Sequence, residues 1–201
     1  EEARRYSGVG CDEMTIPGKT AGLMAVPMSM AKLLELALND GRCQLCGQQM
    51  GPQTGDPTQF NSFEDLMEAF RKQLAFYNRH AAICLNTEAL IHKKVMPLPF
   101  VSATVQGCID NGTDINAGGT DYYWSSVVAL AGMNNVGDSL AAVKKLVFEE
   151  RKITMAELVA ALNSNFANNE ELRQILINDA PKYGNDIDYV DELAASKVQG
   201  S

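Results

Sequence analysis

A thiol and a carboxylate two residues apart, Cys11 and Glu13, sit in "YSGVGCDEMTIPGKTAG" (residues 6–22) among Gly8, Gly10, Gly18 and Gly22. On an extended backbone, side chains at i and i+2 leave the same side of the chain, so the two groups can address one small volume. The glycines allow the backbone to come close to whatever surrounds it. A nearby negative charge raises a thiol pKa and so opposes thiolate formation. The pairing makes sense if the sulfur works uncharged, as a radical that removes a hydrogen atom, while the carboxylate takes a proton. The commoner reading of such residues is a buried cysteine and a solvated glutamate.

Other candidates are weaker. "CQLC" (residues 43–46) has a metal or redox spacing, but structural zinc needs four ligands. The remaining Cys84, Cys108, His80 and His92 are scattered. A thioredoxin-type pair requires a βαβ context that the pattern lacks. His80 and Cys84, four apart, share a helix face that packing explains better than ligation. "GPQTGDP" (residues 51–57) lacks the Gly-Lys-Ser/Thr ending of a phosphate loop and a preceding strand. "GGT" (residues 118–120) is as weak alone, and the nine methionines read as packing residues. No metal site is expected.

These residues are carried by a 201-residue chain, 46% apolar and 21% charged, enough for a packed core. Its net charge is −8 and Lys and Arg never run beyond two in a row, which argues against a nucleic-acid surface. No apolar stretch is long enough to span a membrane. The opening "EEARRY" lacks a basic-then-apolar leader pattern, and five cysteines are an odd number. Reduced thiols in a cytoplasmic compartment are the expectation.

Glycine and proline make residues 1–27 irregular or extended. Helical periodicity covers residues 28–40 and stops at Gly41, and residues 41–61 are a loop. Ser62 caps a long helix to Lys94, with acids first, lysines last and a break expected near Asn86. "MPLPFVSATV" reads as a short β-like run, and "DYYWSSVVALAGM" fits helix or strand equally. Asp138 caps a helix over "DSLAAVKKLVFEE", and Thr154 with Glu157 forms a capping box. A short helix follows, ending before Pro181, and the tail finishes helically.

Taken together, "GCDE" (10–13), "PGKT" (17–20), "AKLLELALNDGR" (31–42), "TGDPTQFNSFEDLMEAF" (54–70), "PFVSATVQGCIDNGTDINAGGTDYY" (99–123), "DSLAAVKKLVFEE" (138–150) and "PKYGNDIDYVDELA" (181–194) resemble glycyl radical enzymes of the pyruvate formate-lyase superfamily, in the family's order. The resemblance implies an α/β fold, a ten-stranded barrel of two antiparallel five-stranded half-barrels with helices outside. This portion would be mostly helical with a few short strands. Residues 1–27 would be the finger loop carrying the thiyl cysteine, and residues 28–201 a helix-rich part of the second half-barrel. The N-terminal half and the C-terminal glycyl radical domain would lie outside the sequence. By the same resemblance Cys11 is the thiyl residue and Glu13 the base. No cofactor would be bound directly: an iron–sulfur, S-adenosylmethionine-dependent activase installs the radical on a glycine in a separate motif. None of the sixteen glycines here has an Arg-Val-x-Gly context. The implied partners are that activase, a small-molecule substrate and a second copy in a homodimer, with no nucleic acid or membrane. The implied setting is the cytoplasm of an anaerobe, with a microcompartment as a further option.

Two departures bear on the reaction. Pyruvate formate-lyase proper uses adjacent cysteines, whereas Gly10 precedes Cys11. Diol-dehydratase and choline-lyase branches place Trp, His and Asp after "PGKT", where this chain has Leu23, Met24 and Ala25. Those three are the expected substrate-contacting residues. They favour C–C cleavage of a less polar substrate, an arylacetate decarboxylation, over small-polyol chemistry. Dehydration or C–N cleavage stays open, as does a non-catalytic helical or Cys-pair metal-binding module. The 201 residues alone are expected to be inactive, and to expose the apolar faces of residues 28–38 and 139–148.

Overall fold

The computed structural model describes residues 2–9, 13–21, 25–123 and 127–195. Two compact units divide the chain: Glu1–Val26 with His80–Ala129, and Pro27–Arg79 with Leu130–Ser201.

The second unit is built on apolar helix faces. Helix α1 (Met30–Ala37) is capped by Ser29, whose hydroxyl accepts the Lys32 N–H. It buries Met30, Leu33, Leu34, Leu36 and Ala37, the stripe an amphipathic helix must hide. It ends at Ala37 with Leu38 as its C-cap, short of the expected stop at Gly41; Gly41, at positive φ, closes the turn that follows, its N–H donating to the Leu36 carbonyl at 2.7 Å. A Cβ there would fall 2.3 Å from the Pro52 carbonyl oxygen, so only glycine fits. Asp40 beside it accepts the N–H groups of Thr54 and Gly55 at 2.6 and 2.7 Å. "NDGR" and "TGDP" are thus two halves of one turn clamp.

Helix α4 (Met133–Val143) has Gly132 as its N-cap, six residues before the expected cap, and continues as a π-helical turn over Lys144–Glu149. Asp138 does not cap it; its carboxylate accepts the Tyr183 N–H at 2.7 Å. Helix α4 packs on α1 and on α7 (Asp188–Ala195). Leu36, Leu140, Leu146 and Val190 are fully buried there, each apolar side chain contributing roughly 1.5–3 kcal/mol. The apolar faces of residues 28–38 and 139–148 are therefore covered within this unit, contrary to the expectation of exposure. Helix α5 (Met155–Asn163) has the expected capping box, Thr154 with Glu157, and packs on the 3₁₀ turn Pro57–Gln59. Helix α6 (Glu170–Asn178) buries no residue.

Helix α2 (Phe63–Val95) contributes to both units. Asp65 accepts from the Asn61 and Ser62 N–H groups, and the Ser62 hydroxyl accepts from Asp65 N–H. No glycine or proline lies inside it, and it runs unbroken past Asn86.

The first unit has little regular structure. Strands β1 (Ser7–Val9) and β2 (Glu13–Thr15) pair antiparallel. Strand β3 (Thr20–Ala21) lies parallel to β5 (Tyr122–Tyr123), and β4 (Ala25–Ser29) pairs with β6 (Val127–Ala131). "DYYWSSVVALAGM" thus resolves as strand over 122–123 and 127–131. The "MPLPFVSATV" run is helical instead of β-like: α3 (Pro99–Ser102) has proline in its first turn, where φ is pre-set and no N–H is needed. Among the described residues, no helix is long and apolar enough to cross a membrane.

Candidate active site

The β1–β2 register pairs Ser7 with Thr15, Gly8 with Met14 and Val9 with Glu13. Glu13 therefore opens β2, and three residues, 10–12, connect it to Val9. Cys11 lies in that connection, outside the described residues, as do Leu23 and Met24. Ala25 begins β4. The structure thus places the backbone of Glu13 and Ala25, and both ends of the segment that bears the thiol.

The foot of this hairpin is firmly held. Ile16 is buried, its carbonyl accepts the Lys19 and Thr20 N–H groups, and its own N–H donates to the Thr20 hydroxyl at 3.0 Å. Gly18, at φ +77, makes the turn, and its carbonyl accepts the Gln106 N–H at 2.8 Å. Lys19 accepts the Tyr122 N–H on its carbonyl, while its ammonium meets Glu2 at 2.8 Å and Asp121 at 3.6 Å. Glu2 also accepts the Tyr122 hydroxyl. Lys19 and Tyr122 hold the Glu2 carboxyl below its usual range, and Glu2 raises Lys19 and Tyr122 in turn. "PGKT" is an anchor, tied to the "QGCIDNGTDINAGGTDYY" segment on the other side.

That segment is itself a polar knot. One Asp114 carboxylate oxygen accepts the Leu98 N–H and the Ser102 hydroxyl, both at 2.8 Å, and the other accepts the Asn116 N–H at 2.8 Å. Burial pushes this carboxyl upward, but the bonds from Asn116, Ser102 and Leu98 win and hold it low. Cys108 is buried, and burial with the Asp114 charge keeps its thiol protonated above the ordinary range. Close approach is what its glycines supply: a Cβ on Gly119 would meet the Thr113 carbonyl oxygen at 2.0 Å, and one on Gly107 the Gly119 carbonyl oxygen at 2.7 Å. At Gly8 a Cβ would meet nothing within 4 Å, so no close approach within this chain calls for glycine at that residue. The Gly18 requirement is its positive φ.

Sequence reasoning missed Lys32. Its ammonium lies 3.0 Å from the Cys43 sulfur and 2.6 Å from Glu35. The signal was present, since Lys32 is on the opening turn of α1 and Cys43 follows the turn that closes that helix, but the pairing required the fold.

A family model described as pyruvate formate lyase-like matches residues 1–200. The chain belongs to the pyruvate formate lyase-like family. Its pyruvate formate lyase-like relatives include a trans-4-hydroxy-L-proline dehydratase of Clostridioides difficile, 39% identical over 196 residues, a match covering 96% of this chain and 24% of the relative. The glycerol-bound B12-independent glycerol dehydratase of Clostridium butyricum superposes with a TM-score of 0.88 at 40% identity, over 98% of this chain and 25% of that one. The indoleacetate decarboxylase of Tractidigestivibacter scatoligenes is more distant, 29% identical over 222 residues, covering 96% of this chain and 24% of the relative. The chain spans about a quarter of the length of these relatives. Its relatives are glycyl radical dehydratases and lyases, with a decarboxylase farther off.

Proposed function

We propose that this chain is the finger-loop portion of a glycyl radical dehydratase acting on a hydroxylated small molecule that is not a simple polyol. The observation that carries the reaction class is the similarity, near 40% identity, to a hydroxyproline dehydratase and a glycerol dehydratase. In this reading residues 1–27 are the finger loop, and residues 28–201 belong to the second of two half-barrels. Longer polypeptide supplies the first half-barrel and the radical-bearing glycine. Cys11, as a thiyl, takes a hydrogen atom from a substrate C–H bond, becoming a thiol and leaving a carbon-centred radical. The Glu13 carboxylate takes a proton from a neighbouring hydroxyl, which assists loss of the adjacent leaving group. An activase installs the radical on the distant glycine. The enzyme is proposed to act as a homodimer in the cytoplasm of an anaerobe, with a microcompartment as the narrower setting.

Leu23, Met24 and Ala25 replace the polar trio of the polyol branches, which is why a small polyol is not the proposed substrate. The same residues support a second reading, arylacetate decarboxylation. The test is to activate the complete enzyme anaerobically and offer trans-4-hydroxyproline, 1,2-propanediol, glycerol and an arylacetate. Dehydrated product from a hydroxylated substrate upholds the first reading; carbon dioxide from the arylacetate alone overturns it for the second.

A further inference from the structure

The "CQLC" turn sits in the second unit, at the end of α1, and its two cysteines differ. Cys43 is buried and Cys46 is exposed, and both are free thiols. The turn is closed by the Gly47 N–H donating to the Cys43 carbonyl at 2.8 Å, with the Cys43 N–H donating to Gln48 at 2.9 Å. Positive φ at Gly47 lets the chain turn back here. The Cys43 sulfur receives the Lys32 ammonium at 3.0 Å, and the Cys46 thiol points to the Met50 sulfur at 3.8 Å. Glu35 holds the assembly from behind, accepting from Lys32 at 2.6 Å and from the Gln44 N–H at 2.9 Å. A groove of about 310 Å³ lined by Asn39, Arg42, Cys43, Gln44, Gly47 and Asn163 opens beside it.

We propose that Cys43 and Cys46 form a thiol–disulfide exchange site, oxidised to an intramolecular disulfide by a low-molecular-weight disulfide such as oxidised glutathione. Exposed Cys46, as thiolate, attacks one sulfur of the oxidant, forming a mixed disulfide and releasing one thiolate. The Cys43 thiolate then attacks the Cys46 sulfur, closing the Cys43–Cys46 bond and expelling the second thiolate. Two protein thiols are oxidised, the oxidant becomes two thiols, and they take up the two protons.

Several features select this chemistry over the alternatives. The Lys32 ammonium stabilises a thiolate but repels a metal cation. Among the described residues no group of three His, Cys, Asp or Glu side chains is placed to hold a metal. Lys32 and the Cys46 N–H hold the Cys43 thiol down at about 7, against burial. Cys43 is then a good resolving thiolate and, in the reverse direction, a good leaving group. The titratable groups around the sulfur are Lys32, Glu35, Cys46 and Tyr77, and among them the ammonium is the largest influence favouring ionisation, with Cys46 adding to it.

The experiment uses the intact protein before radical activation, reduced anaerobically and then exposed to oxidised glutathione. Trypsin cuts after Arg42 and Arg71, so one peptide, residues 43–71, holds both cysteines. Mass analysis should show that peptide lighter by two hydrogens, restored by dithiothreitol. In Cys43→Ser, Cys46 should retain one glutathionyl group that wild type loses. Ring closure in wild type should rise with pH around a midpoint near 7, and Lys32→Gln should move that midpoint up toward the ordinary thiol value. A wild-type peptide that stays reduced overturns the proposal even if a variant fails to fold. So do glutathionyl groups persisting on both cysteines, an unmoved midpoint, or one chelator-resistant zinc per chain released on loss of Cys43.

Discussion

The two units solve the problem of stability differently. In the second, α1, α4 and α7 hide their apolar faces against one another, and Leu36, Leu140 and Val190 are wholly enclosed. In the first, few described apolar residues are buried, among them Ile16, Ala21 and Leu85, while Ile83, Leu90, Val95, Phe100 and Ile109 are exposed. What orders the first unit is directional: the Asp114 knot, the Lys19 anchor and glycines that admit close backbone contact. Hydrogen bonds fix position better than they supply net stability. The β1–β2 pair therefore belongs to the unit whose geometry is set by hydrogen bonds, while the second unit is set by apolar helix packing. The uncovered side chains of the first unit fit a surface that the longer polypeptide proposed above would cover.

This contrast can be broken or sharpened by measurement, beginning with the largest effect. In the complete enzyme Cys11→Ala or Cys11→Ser should abolish turnover, because neither side chain can serve as the hydrogen-abstracting radical. The same changes at Cys43, Cys46, Cys84 or Cys108 should leave activity apart from packing losses; an essential residue among those four would defeat the single-thiyl reading. Glu13→Gln should preserve glycyl radical formation, read by electron paramagnetic resonance, while lowering kcat by about 10²–10⁴-fold. Near-normal kcat would remove Glu13 as the base.

Effects on folding come next. Leu140→Ala, in the enclosed core of the second unit, should cost about 2–5 kcal/mol by denaturant titration. Asp114→Asn should cost less, about 1–3 kcal/mol, since it weakens acceptors for donors already in place. Its pH signature is specific. A carboxyl held low in the folded state contributes stability above the ordinary carboxylate range, and that contribution is lost as pH falls through its lowered value. Asp114→Asn should flatten the acid limb of the stability profile, and an unchanged acid limb would contradict the knot. Smallest of all, Phe100→Ser should leave the isolated chain's unfolding midpoint nearly unchanged while reducing its self-association in sedimentation. A loss like that of Leu140→Ala would erase the distinction between the units.

How much could be read from the residues follows the same divide. Helices that bury a stripe announce it: α1, α2 and α5 follow from periodicity and caps. Asp138 misleads because a capping residue and a loop-tying carboxylate look alike in sequence, and only Tyr183, 45 residues on, shows which it is. The first unit resists because β1, β2, β3 and β5 are two or three residues long, too short for alternation to register. "PFVSATV" deceives for a related reason: β-branched residues suggest a strand, but Pro99 starts a helical turn. Cys11 and Glu13 are candidates through the family pattern alone, whereas Lys32 beside Cys43 is a product of tertiary placement.

The pairing of β3 with β5 has a temporal side. Thr20 is matched with Tyr122, so roughly a hundred residues must be synthesised between them, about 5–20 s at translation rates of about 5–20 residues per second. Residues 13–21 leave the ribosome well before the strand that β3 pairs with. For those seconds nothing from the β5 side can hold Thr20 and Ala21, and a nascent chain stalled before Tyr122 would leave β3 without its partner.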